Sequence, residues 1–569
     1  MLKSQATTAR TEIIAEHGVV VGGHEQEAEA GVRLLQEGGN AIDALVGAAF
    51  AGFVVEPASC GLGGYGRLAL FLADRQEFVT IDHYVRAPKK AHPAMFEIDR
   101  LAAWHYYGHP QTVGRQAEQG YLSVAVPGAV AGLCAAQAMF GRLPLAQALQ
   151  PAIEMAEARL PLSWNLVLTI ASRMAEIQTF PETAVHLLRQ GLPPRFAGPY
   201  GAGERLDTSA LAKTLRRIAQ HGPAGFYSGP VAEAIERAFN AHGGILSAAD
   251  LAGYRPKILK EKPARYREYD YVTAYDQVGY EALNILDHFD LAGYGPESVE
   301  FRHLAAEAFG HAFMDNMVHY GDPDHAHSPV NGLASRAFAA ERAAGIRLDR
   351  AAPRPITPGN PWPYETSTGA PEVLPTRPTT ARIEGTSQMA AADRQGNLVA
   401  LITSLSSAFG SLVYIPEIGL FMNNSMQNFD PRPDHPNGIR PGKIPIFAVP
   451  TLAAAKEGRA VFAGCGSGGY RILTGVLHPF MYMVDFGLGL QAAIDAPRVH
   501  CQGEETYVDA RVPGEVQAKL AAMGHTVVPQ LDSPGANNFG RVAAIWIDLQ
   551  TGLLHAGSGP AWATGAAGY

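Results

Sequence analysis

The sequence predicts an α/β (α+β) protein built as a four-layer αββα sandwich, with two sheets packed face to face between layers of helices. Three observations lead to this fold class. Residues from about 125 to 325 carry apolar positions three and four apart, which is typical of helices. From residue 386 the pattern changes to short apolar strands joined by tight turns. The strand at 398–405 is apolar on both faces, so both faces must be covered.

The first ninety residues predict helices that lead into a sheet. The run Val19-Val20-Val21 indicates a short buried strand, and a helix is expected from His24 to Glu37, ended by a glycine pair. Asn40 is placed to cap a second helix that runs to about residue 54. Two strands are then expected, within RLALFLAD and EFVTIDHY.

The central part of the chain predicts further helices and one long loop. Residues 345 to 380 are rich in proline and lack any period, which indicates a surface loop. This loop, taken as 345–385, ends immediately before Thr386, a position that suits a segment that must reach solvent and be cut. The helices are expected at AVAGLCAAQAMFG (129–141), LAQALQPAIEMAEA (145–158), SALAKTLRRIAQHG (209–222) and VAEAIERAFNAHGG (231–244).

The last third of the chain predicts a hairpin, a strand, a helix and a closing hairpin. The first hairpin consists of TSQMAAAD, the turn RQGN and LVALITSL. The later elements are a strand at GRAVFAGCG (458–466), a helix at ILTGVLHPFMYMVDFG (472–487) and a hairpin at VAAIWIDLQTGLLHAGS (542–558).

Composition excludes several classes of protein. Of the 569 residues, 47% are apolar and 17% are charged, which is typical of globular proteins. The net charge is −9 with no basic stripe, so no nucleic-acid partner is expected. Four distant cysteines without a C-x-x-C pair indicate reduced thiols. The first residues lack a signal core and the longest apolar stretch, 44–55, is too short for a bilayer, so a cytoplasmic protein without membrane contact is expected.

A hydroxyl nucleophile is indicated at Thr386, which follows a glycine and starts a strand. Gly385 permits a strained backbone before the nucleophile, which an N-to-O acyl shift can use. Ser404, on the partner strand, is expected within hydrogen-bond reach of the threonine hydroxyl. Gly468 and Gly469 can present bare backbone N–H groups to an oxyanion. If the bond before Thr386 breaks, its α-amine becomes free to serve as base for its own hydroxyl.

Other motifs have ordinary explanations. The G-x-G-x-x-G pattern at 61–66 follows a helix and precedes a strand, the reverse of a dinucleotide site, so we expect close backbone packing or a pocket wall. His325 and His327 lack a third metal ligand at a suitable spacing, and a solvated loop is the simpler interpretation. Ser467 has Cys465 where a nucleophile elbow needs glycine.

The chain resembles the γ-glutamyltransferase (γ-glutamyltranspeptidase) family of N-terminal-nucleophile (Ntn) hydrolases. The similarity extends from about Val20 to Pro560, and the order and spacing of the motifs are more specific than any one of them. The matching stretches are LLQEGGNAIDA (34–44), PGAVAG (127–132), GPAGFYSG (222–229), GGILSAADLAGY (243–254), GDPD (321–324), MNNSM (422–426), GSGGYRIL (466–473) and AIDAPRVH (493–500).

The resemblance implies a precursor that cuts itself before Thr386 into a large subunit, 1–385, and a small subunit, 386–569, which stay together as one structural unit. Thr386 would attack an amide carbonyl, the Gly468 and Gly469 amides would stabilise the oxyanion, and water or another amine would take the acyl group. The base would be the Thr386 α-amine, whose ordinary pKa is about 7.7–8.0. Neither a cofactor nor a metal is required. A homodimer or a heterotetramer remains open.

The part of the pocket that holds the substrate carboxylate departs from the family pattern. The arginine that binds this carboxylate falls on Tyr84, and Arg86 two residues later is an alternative. The family's serine pair, which grips the same carboxylate, falls on Ile446 and Phe447.

The part that holds the amino-acid head group departs as well. An asparagine of the family falls on Ser406, the aspartate that pairs with the ammonium falls on Asn428, and a nearby glutamine falls on Ser425. Beside the nucleophile, Ser387 and Gln388 replace a threonine and a histidine; the second change has no physical explanation from sequence. We therefore expect an altered, less charged acyl group.

The expected function is an autoprocessing amidohydrolase that cleaves a small amide through an acyl-threonine intermediate. Hydrolysis is favoured over transfer because nothing identifies an amine acceptor site. One alternative is a genuine γ-glutamyl hydrolase or transpeptidase, with glutathione-type substrates, in which Arg86 binds the carboxylate. A second alternative is a non-catalytic scaffold, against which the intact Thr386, Ser404 and glycine pair argue.

Overall fold

The computed structural model describes residues 10–198, 201–274, 276–365, 374, 385–446, 450–532, 538–560 and 563–569. Two seven-stranded sheets form the centre of the protein, and smaller sheets lie around them. The strands are β1 (Ile13–Ala15), β2 (Gly18–Gly22), β3 (Tyr65–Leu72), β4 (Glu77–His83), β5 (Leu160–Pro161), β6 (Arg205–Leu206), β7 (Lys257–Glu261), β8 (Ala264–Tyr266), β9 (Tyr269–Val272), β10 (Thr386–Asp393), β11 (Leu398–Ser404), β12 (Tyr414–Ile415), β13 (Leu420–Phe421), β14 (Leu452–Lys456), β15 (Arg459–Ser467), β16 (Val499–Cys501), β17 (Glu505–Asp509), β18 (Thr526–Gln530), β19 (Arg541–Ile547), β20 (Leu554–Ser558) and β21 (Gly565–Gly568).

The two large sheets each combine strands from both ends of the chain. Sheet I has the order β21-β2-β10-β11-β3-β4-β7, and sheet II has the order β1-β20-β19-β15-β14-β9-β8. Every neighbouring pair within these two sheets is antiparallel. In this strand order the predicted hairpin β10–β11 lies at the centre of sheet I.

Helices surround the two sheets. No helix in the described part of the chain has the combination of length and apolar character needed to cross a membrane. The helices are α1 (Glu25–Gln36), α2 (Ala41–Val55), α3 (Ala129–Phe140), α4 (Leu145–Glu157), α5 (Trp164–Ser172), α6 (Met174–Ile177), α7 (Pro181–Leu187), α8 (Ser209–His221), α9 (Ala224–Tyr227), α10 (Pro230–Ala241), α11 (Ala248–Ala252), α12 (Gln277–Leu286), α13 (Val299–His319), α14 (Val330–Leu333), α15 (Arg336–Gly345), α16 (Arg471–Phe486), α17 (Leu490–Asp495) and α18 (Gly514–Ala522).

The layers are stacked in the predicted αββα order. Helices α1, α2 and α3 pack on the outer face of sheet I, and α16 and α17 pack on the outer face of sheet II. The inner faces meet where β10 and β11 contact β15, and the Cys465 thiol of β15 donates to the Met389 carbonyl of β10 at 3.1 Å. All eight residues of β10 and all seven of β11 are buried, as expected for strands covered on both faces.

Capping side chains fix where the first two helices begin. The Asn40 side chain accepts hydrogen bonds from the backbone N–H groups of Ile42 and Asp43, and the Asp43 carboxylate accepts one from the Asn40 N–H group, which completes a capping box. His24 and Glu27 form the same arrangement at the start of α1. The second capping box draws the Glu27 carboxyl beneath β2, where it is completely buried.

The predicted elements are present within a few residues of their expected limits. The G-x-G-x-x-G loop lies between α2 and β3, and a Cβ on Gly64 would overlap the Ser404 carbonyl, so the loop packs against backbone as expected. Short strands such as β1, β7 and β21 were not predicted, because their sequences lack clear alternation. The predicted loop is free of regular structure over 346–361, and much of its remainder, 366–373 and 375–384, lies outside the described residues.

Candidate active site

The hairpin β10–β11 places two hydroxyl groups side by side. Thr386 and Ser404 are directly opposite residues of the antiparallel pair, so their side chains share one face of sheet I. Their oxygens, Oγ1 and Oγ, lie 2.9 Å apart, and the two residues are 7% and 3% exposed. The structure thus brings the predicted nucleophile and its predicted partner within hydrogen-bond distance.

The peptide bond before Thr386 is oriented by two hydrogen-bond donors. The Gly385 carbonyl accepts from the Ser404 hydroxyl at 2.8 Å and from the Leu405 N–H group at 3.1 Å. Gly385 has φ 151°, and a Cβ at this position would overlap the backbone of Ser407. Only glycine fits here, and its carbonyl is polarised next to the threonine hydroxyl.

A chain of hydroxyl groups extends from Ser404 toward the wall of the pocket. The Ser404 Oγ accepts from the Ser406 N–H group at 2.8 Å, which the positive φ of Ser406, 77°, makes possible. The Ser406 Oγ lies 2.7 Å from the Tyr65 hydroxyl and 2.8 Å from the Ser425 Oγ. Ser406 and Ser425, both expected at the substrate pocket, are therefore brought together with the nucleophile.

Tyr84 and Asn428 also meet, and they bond to each other. The Asn428 Nδ2 donates to the Tyr84 hydroxyl at 3.2 Å, and the rings of Tyr84 and Tyr65 lie 4.4 Å apart. Burial raises the pKa of Tyr84 well above its usual value, so its hydroxyl is neutral. The Asn428 Oδ1 is buried without a hydrogen-bond partner among the described residues, which leaves an acceptor free for a ligand.

Two small adjoining cavities lie beside this pair, with volumes of about 30 and 40 Å³. Ile446 lines both cavities, as expected for a pocket residue, and so does Tyr470, which follows the glycine pair. Phe447 lies outside the described residues. The walls are mixed. The aromatic and aliphatic side chains are Tyr107, Val278, Phe313, Met317, Tyr320, Ile446 and Tyr470, and the polar and charged ones are Arg67, His109, Asp276, Gln277, Asn316, Asn428, Asp430, His435 and Asn437.

Two arginines lie near Tyr84, and they differ in position. Arg86 donates to the Arg255 carbonyl at 3.3 Å and its guanidinium lies 5.8 Å from the Tyr254 ring, so its contacts do not join it to Asn428. Arg67, which the sequence analysis did not single out, is 4% exposed and its guanidinium lies 4.9 Å above the Tyr84 ring. Arg67 lines one cavity and pairs with Asp82 at 3.4 Å.

The glycine pair follows β15 with its backbone N–H groups available. Gly468 and Gly469 have φ angles of 128° and 64°, and neither N–H group donates to any described residue. Ser467, immediately before the pair, accepts from the Arg541 Nε at 2.6 Å. The Arg541 Nη2 donates to the Thr386 carbonyl oxygen. Arg541 thus connects the nucleophile to the loop that is expected to bind the oxyanion.

Two buried glutamates lie behind the nucleophile. Glu56 accepts from the Ser387 hydroxyl and pairs with the Arg541 Nη1 at 3.5 Å. Glu27 is adjacent to Glu56, and burial, followed by the charge of Glu56, raises the pKa of Glu27 well above its usual value. The Glu27 carboxyl is therefore neutral and can donate its proton to Glu56.

Among the described residues, one cluster away from the hairpin has the side chains of a possible metal centre, but an arginine lies within it. His303, Glu307 and His525 offer ligand atoms within 4.8 Å of one another. The Arg354 guanidinium already pairs with Glu307 and donates to the His525 Nδ1 at 3.1 Å, so a fixed positive charge occupies the cluster. Of the sequence candidates, His327 packs against the Trp362 ring at 4.9 Å.

The glutamate pair and Arg541 were missed by sequence reasoning. Glu27 falls on the apolar stripe of α1 with Ala30 and Leu34, and Glu56 directly ends the apolar helix α2. A carboxylate on an apolar stripe is an informative signal, since ionised groups are rarely buried alone. Gln388 is fully buried with both polar side-chain atoms unpartnered among the described residues, and nothing in the structure explains it.

The two stacked sheets and the threonine at the start of a central strand define the Ntn-hydrolase class of enzymes. The chain belongs to the γ-glutamyltranspeptidase family, whose model matches residues 28–569. Among curated relatives, it is 35% identical to an "Acylase ACY 1 proenzyme" of Pseudomonas sp. (strain SE83), over 90% of this chain and 87% of that one. It is 29% identical to a "Glutathione hydrolase proenzyme" of Bacillus subtilis (strain 168), over 95% and 89%.

A solved structure agrees over the whole length. The cephalosporin acylase from Bacillus halodurans superposes with a TM-score of 0.84 at 29% identity, covering 100% of this chain and 99% of that one. The protein is therefore an enzyme of the hydrolase and transferase type, an Ntn amidohydrolase of the γ-glutamyltranspeptidase family.

Replacing Ser404 by alanine is expected to slow cleavage of the precursor by about 10²–10³-fold, because one of the two donors to the Gly385 carbonyl is lost. The measurement is a time course of purified precursor on a denaturing gel. Thr403→Val is the matched control, since the Thr403 hydroxyl donates instead to the Tyr65 carbonyl at 3.1 Å. Equal cleavage rates for the two variants would contradict this role.

Replacing Glu27 by glutamine is expected to stabilise the protein increasingly as the pH rises above about 4.5, the ordinary pKa of the group. The folded protein keeps this proton while the unfolded chain releases it, so wild-type stability falls with rising pH by up to about 1.4 kcal/mol per pH unit. Below that pH the difference between variant and wild type becomes constant. Calorimetric melting from pH 5 to 9 measures the effect.

The other titratable groups around Glu27 leave this expectation unchanged. Cys60 and Cys465 face the pair, and burial raises the pKa of both thiols, so they stay neutral over this range. Glu56 and Arg541 are present in both proteins. The exposed Glu29→Gln on the same helix is the control. Parallel melting curves for Glu27→Gln and wild type at every pH would show that Glu27 is ionised when folded.

Proposed function

We propose that the protein matures by cutting its own chain before Thr386 and then hydrolyses a small amide, with Thr386 as nucleophile in both reactions. The observation that carries the proposal is the arrangement at the hairpin. The Thr386 hydroxyl lies 2.9 Å from Ser404, and Ser404 donates at 2.8 Å to the carbonyl of the bond to be cut. The products are a large chain, 1–385, and a small chain, 386–569, which remain associated because β2, β3 and β10 belong to one sheet.

Self-cleavage proceeds by an N-to-O acyl shift. The Thr386 hydroxyl attacks the Gly385 carbonyl carbon, and the Leu405 N–H and Ser404 hydroxyl stabilise the negative oxygen. The proton lost by the Thr386 hydroxyl is transferred to the amide nitrogen as the C–N bond breaks, and an ester joins Gly385 to the threonine side chain. Water hydrolyses this ester, which releases the Gly385 carboxylate and the free α-amine of Thr386.

Substrate hydrolysis reuses the same hydroxyl. The α-amine accepts the proton of the Thr386 hydroxyl as the oxygen attacks the substrate carbonyl, and the N–H groups of Gly468 and Gly469 stabilise the oxyanion. The proton passes to the leaving amine, the C–N bond breaks, and an acyl-threonine ester remains. Water activated by the same α-amine then releases the carboxylic acid. A purely structural scaffold is disfavoured because it needs none of these groups.

The acyl group is proposed to be less charged than γ-glutamyl. Tyr84 and Asn428 occupy the positions of a carboxylate-binding arginine and an ammonium-binding aspartate, and they bond to each other at 3.2 Å. The cavity lined by Phe313 is walled largely by aromatic and aliphatic groups. The adjoining cavity also contains the polar side chains of His109, Asp430 and His435. Two relatives named as acylases are consistent with an acyl preference outside the γ-glutamyl class.

A γ-glutamyl substrate is the second candidate, and Arg67 is the observation that favours it. This buried guanidinium lines one cavity and lies 4.9 Å from the Tyr84 ring, so it offers a positive charge to a carboxylate where Arg86 does not. Relatives named as glutathione hydrolases support this candidate equally. Under it, Arg67 rather than Arg86 binds the substrate carboxylate.

Replacing Thr386 by alanine is expected to abolish both self-cleavage and amide turnover, because no other hydroxyl occupies its position. Wild-type protein should give two bands of about two-thirds and one-third of the chain mass on a denaturing gel, and Thr386→Ala one band. Mass spectrometry of the small chain should show threonine at its amino end. Intact turnover in Thr386→Ala would refute the proposal.

A series of three p-nitroanilides separates the two substrate candidates. We expect pentanoyl-p-nitroanilide to exceed γ-glutamyl-p-nitroanilide in kcat/KM by at least about 10-fold, with glutaryl-p-nitroanilide between them. Each lost charged hydrogen bond weakens γ-glutamyl binding by about 1.5–3 kcal/mol. The reverse order supports the second candidate, and γ-glutamyl turnover in Arg67→Lys and Arg86→Ala then identifies the arginine that binds the carboxylate.

A further inference from the structure

The proposed nucleophile and the proposed oxyanion site lie on different sheets. Thr386 begins β10 in sheet I, whereas Gly468 and Gly469 follow β15 in sheet II. Facing sheets are joined mainly by apolar side chains, whose contacts are not directional. Catalysis requires these two groups to keep a fixed separation, because a displacement of about 1 Å can lower the rate about 10²-fold.

Arg541 is the directional connection between the sheets at this point. It begins β19 of sheet II, donates to the Ser467 hydroxyl at 2.6 Å within that sheet, and donates to the Thr386 carbonyl oxygen across the interface. Its guanidinium is 7% exposed, and the planar fork of an arginine fixes both directions at once. A buried guanidinium needs a negative partner, and Glu56 provides one at 3.5 Å.

Glu56 contacts the nucleophile strand a second time. Its other carboxylate oxygen accepts from the hydroxyl of Ser387, the residue next to the nucleophile. Glu56 lies just beyond the end of α2, which packs on the outer face of sheet I. One carboxylate therefore joins three elements: the helix layer, the nucleophile strand, and through Arg541 the start of the oxyanion loop.

The space for the carboxyl pair is made by glycines. A Cβ on Gly23 would overlap Glu56 and Ser387, and a Cβ on Gly52 would lie 2.6 Å from a Glu27 oxygen. A Cβ on Gly22 would lie 2.5 Å from the other Glu27 oxygen. Glycine at these three positions thus leaves room for the two carboxyl groups to lie side by side. A chance contact between two side chains would not need glycine at three separate positions.

We propose that Glu56 is a positioning residue that fixes the Thr386 strand against the Gly468–Gly469 loop through Arg541. The inference rests on the proposed function and adds residues that touch neither substrate nor the reacting atoms. Glu27 lies beside Glu56, where burial raises the pKa of the Glu27 carboxyl well above its usual value, and Arg541 lies 3.5 Å from Glu56. Two ionised glutamates here would leave one buried charge uncompensated.

The experiment compares Glu56→Gln and Arg541→Lys with the exposed control Glu29→Gln. In mature enzyme acting on its best p-nitroanilide, we expect kcat to fall about 10²-fold for each of the first two variants, with KM within about threefold of wild type. The groups expected to bind substrate, Tyr84 and Asn428, do not contact Glu56. The cleavage rate of purified precursor should fall by a similar factor.

A double variant distinguishes positioning from separate effects. If Glu56 acts through Arg541, the variant that carries both substitutions should lose about as much kcat as either alone rather than the product of the two losses. The proposal would be overturned if the double variant lost the product of the two single losses. It would also be overturned if a rise in KM accounted for the lost kcat/KM, or if the kcat of the single variants lay within threefold of that of Glu29→Gln.

Melting temperatures and a milder variant guard against a folding defect. If Glu56→Gln does not fold, Ser387→Ala replaces it, because this change removes one hydrogen bond to Glu56 and leaves the ion pair in place. A kcat loss of about 10-fold with unchanged KM is then expected, and a kcat equal to that of Glu29→Gln would overturn the proposal. Failure of wild-type protein to cleave itself or any amide would instead refute the proposed function.

Discussion

The antiparallel register of β10 and β11 is the constraint on which the rest of the site depends. It sets Thr386 directly opposite Ser404, with both hydroxyl groups on one face of sheet I. A slip of one residue would turn the threonine side chain to the other face, away from Ser404, and would remove the Ser404 hydroxyl from the Gly385 carbonyl. The register is secured because β10 also pairs with β2, β11 also pairs with β3, and every residue of the hairpin strands is buried.

The position of this hairpin between two packed sheets explains the unusual concentration of buried polar groups. An active site inside a protein must supply charges and hydrogen bonds where water is excluded, and each such group needs a partner. Arg541 pairs with Glu56 and also donates to Ser467 and Thr386, while Ser406, Tyr65 and Ser425 form a neutral chain on the pocket side. The Asn428 oxygen has no partner among the described residues, and Asn428 lines one of the two cavities.

Much of the fold followed from local sequence signals. Helix periods, caps and the turn of the hairpin are encoded within a few residues of one another, so the αββα layers and the Thr386–Ser404 pair could be anticipated. The glutamate pair could not, because its contacts join residues 331 and 485 positions apart in the chain. The direction of Arg86 is equally non-local, since it depends on Tyr254 and Arg255. Motif comparison placed Tyr84 and Asn428 in the pocket, but it gave no indication that they bond to each other or that Arg67 lies beside them.

The two hydrogen bonds to the Gly385 carbonyl, from the Ser404 hydroxyl and the Leu405 N–H group, are made in the uncleaved chain and therefore bear on when the enzyme becomes active. Until the chain is cut, the Gly385 carbonyl lies against Ser404 and Leu405 beside the threonine hydroxyl, and the amine that would act as base is part of a peptide bond. Under the proposed chemistry the uncleaved precursor is therefore inactive toward amide substrates during synthesis and folding. The enzyme becomes active only after the protein has folded and the bond before Thr386 has been cut, so an unfolded or partly assembled copy cannot hydrolyse other amides.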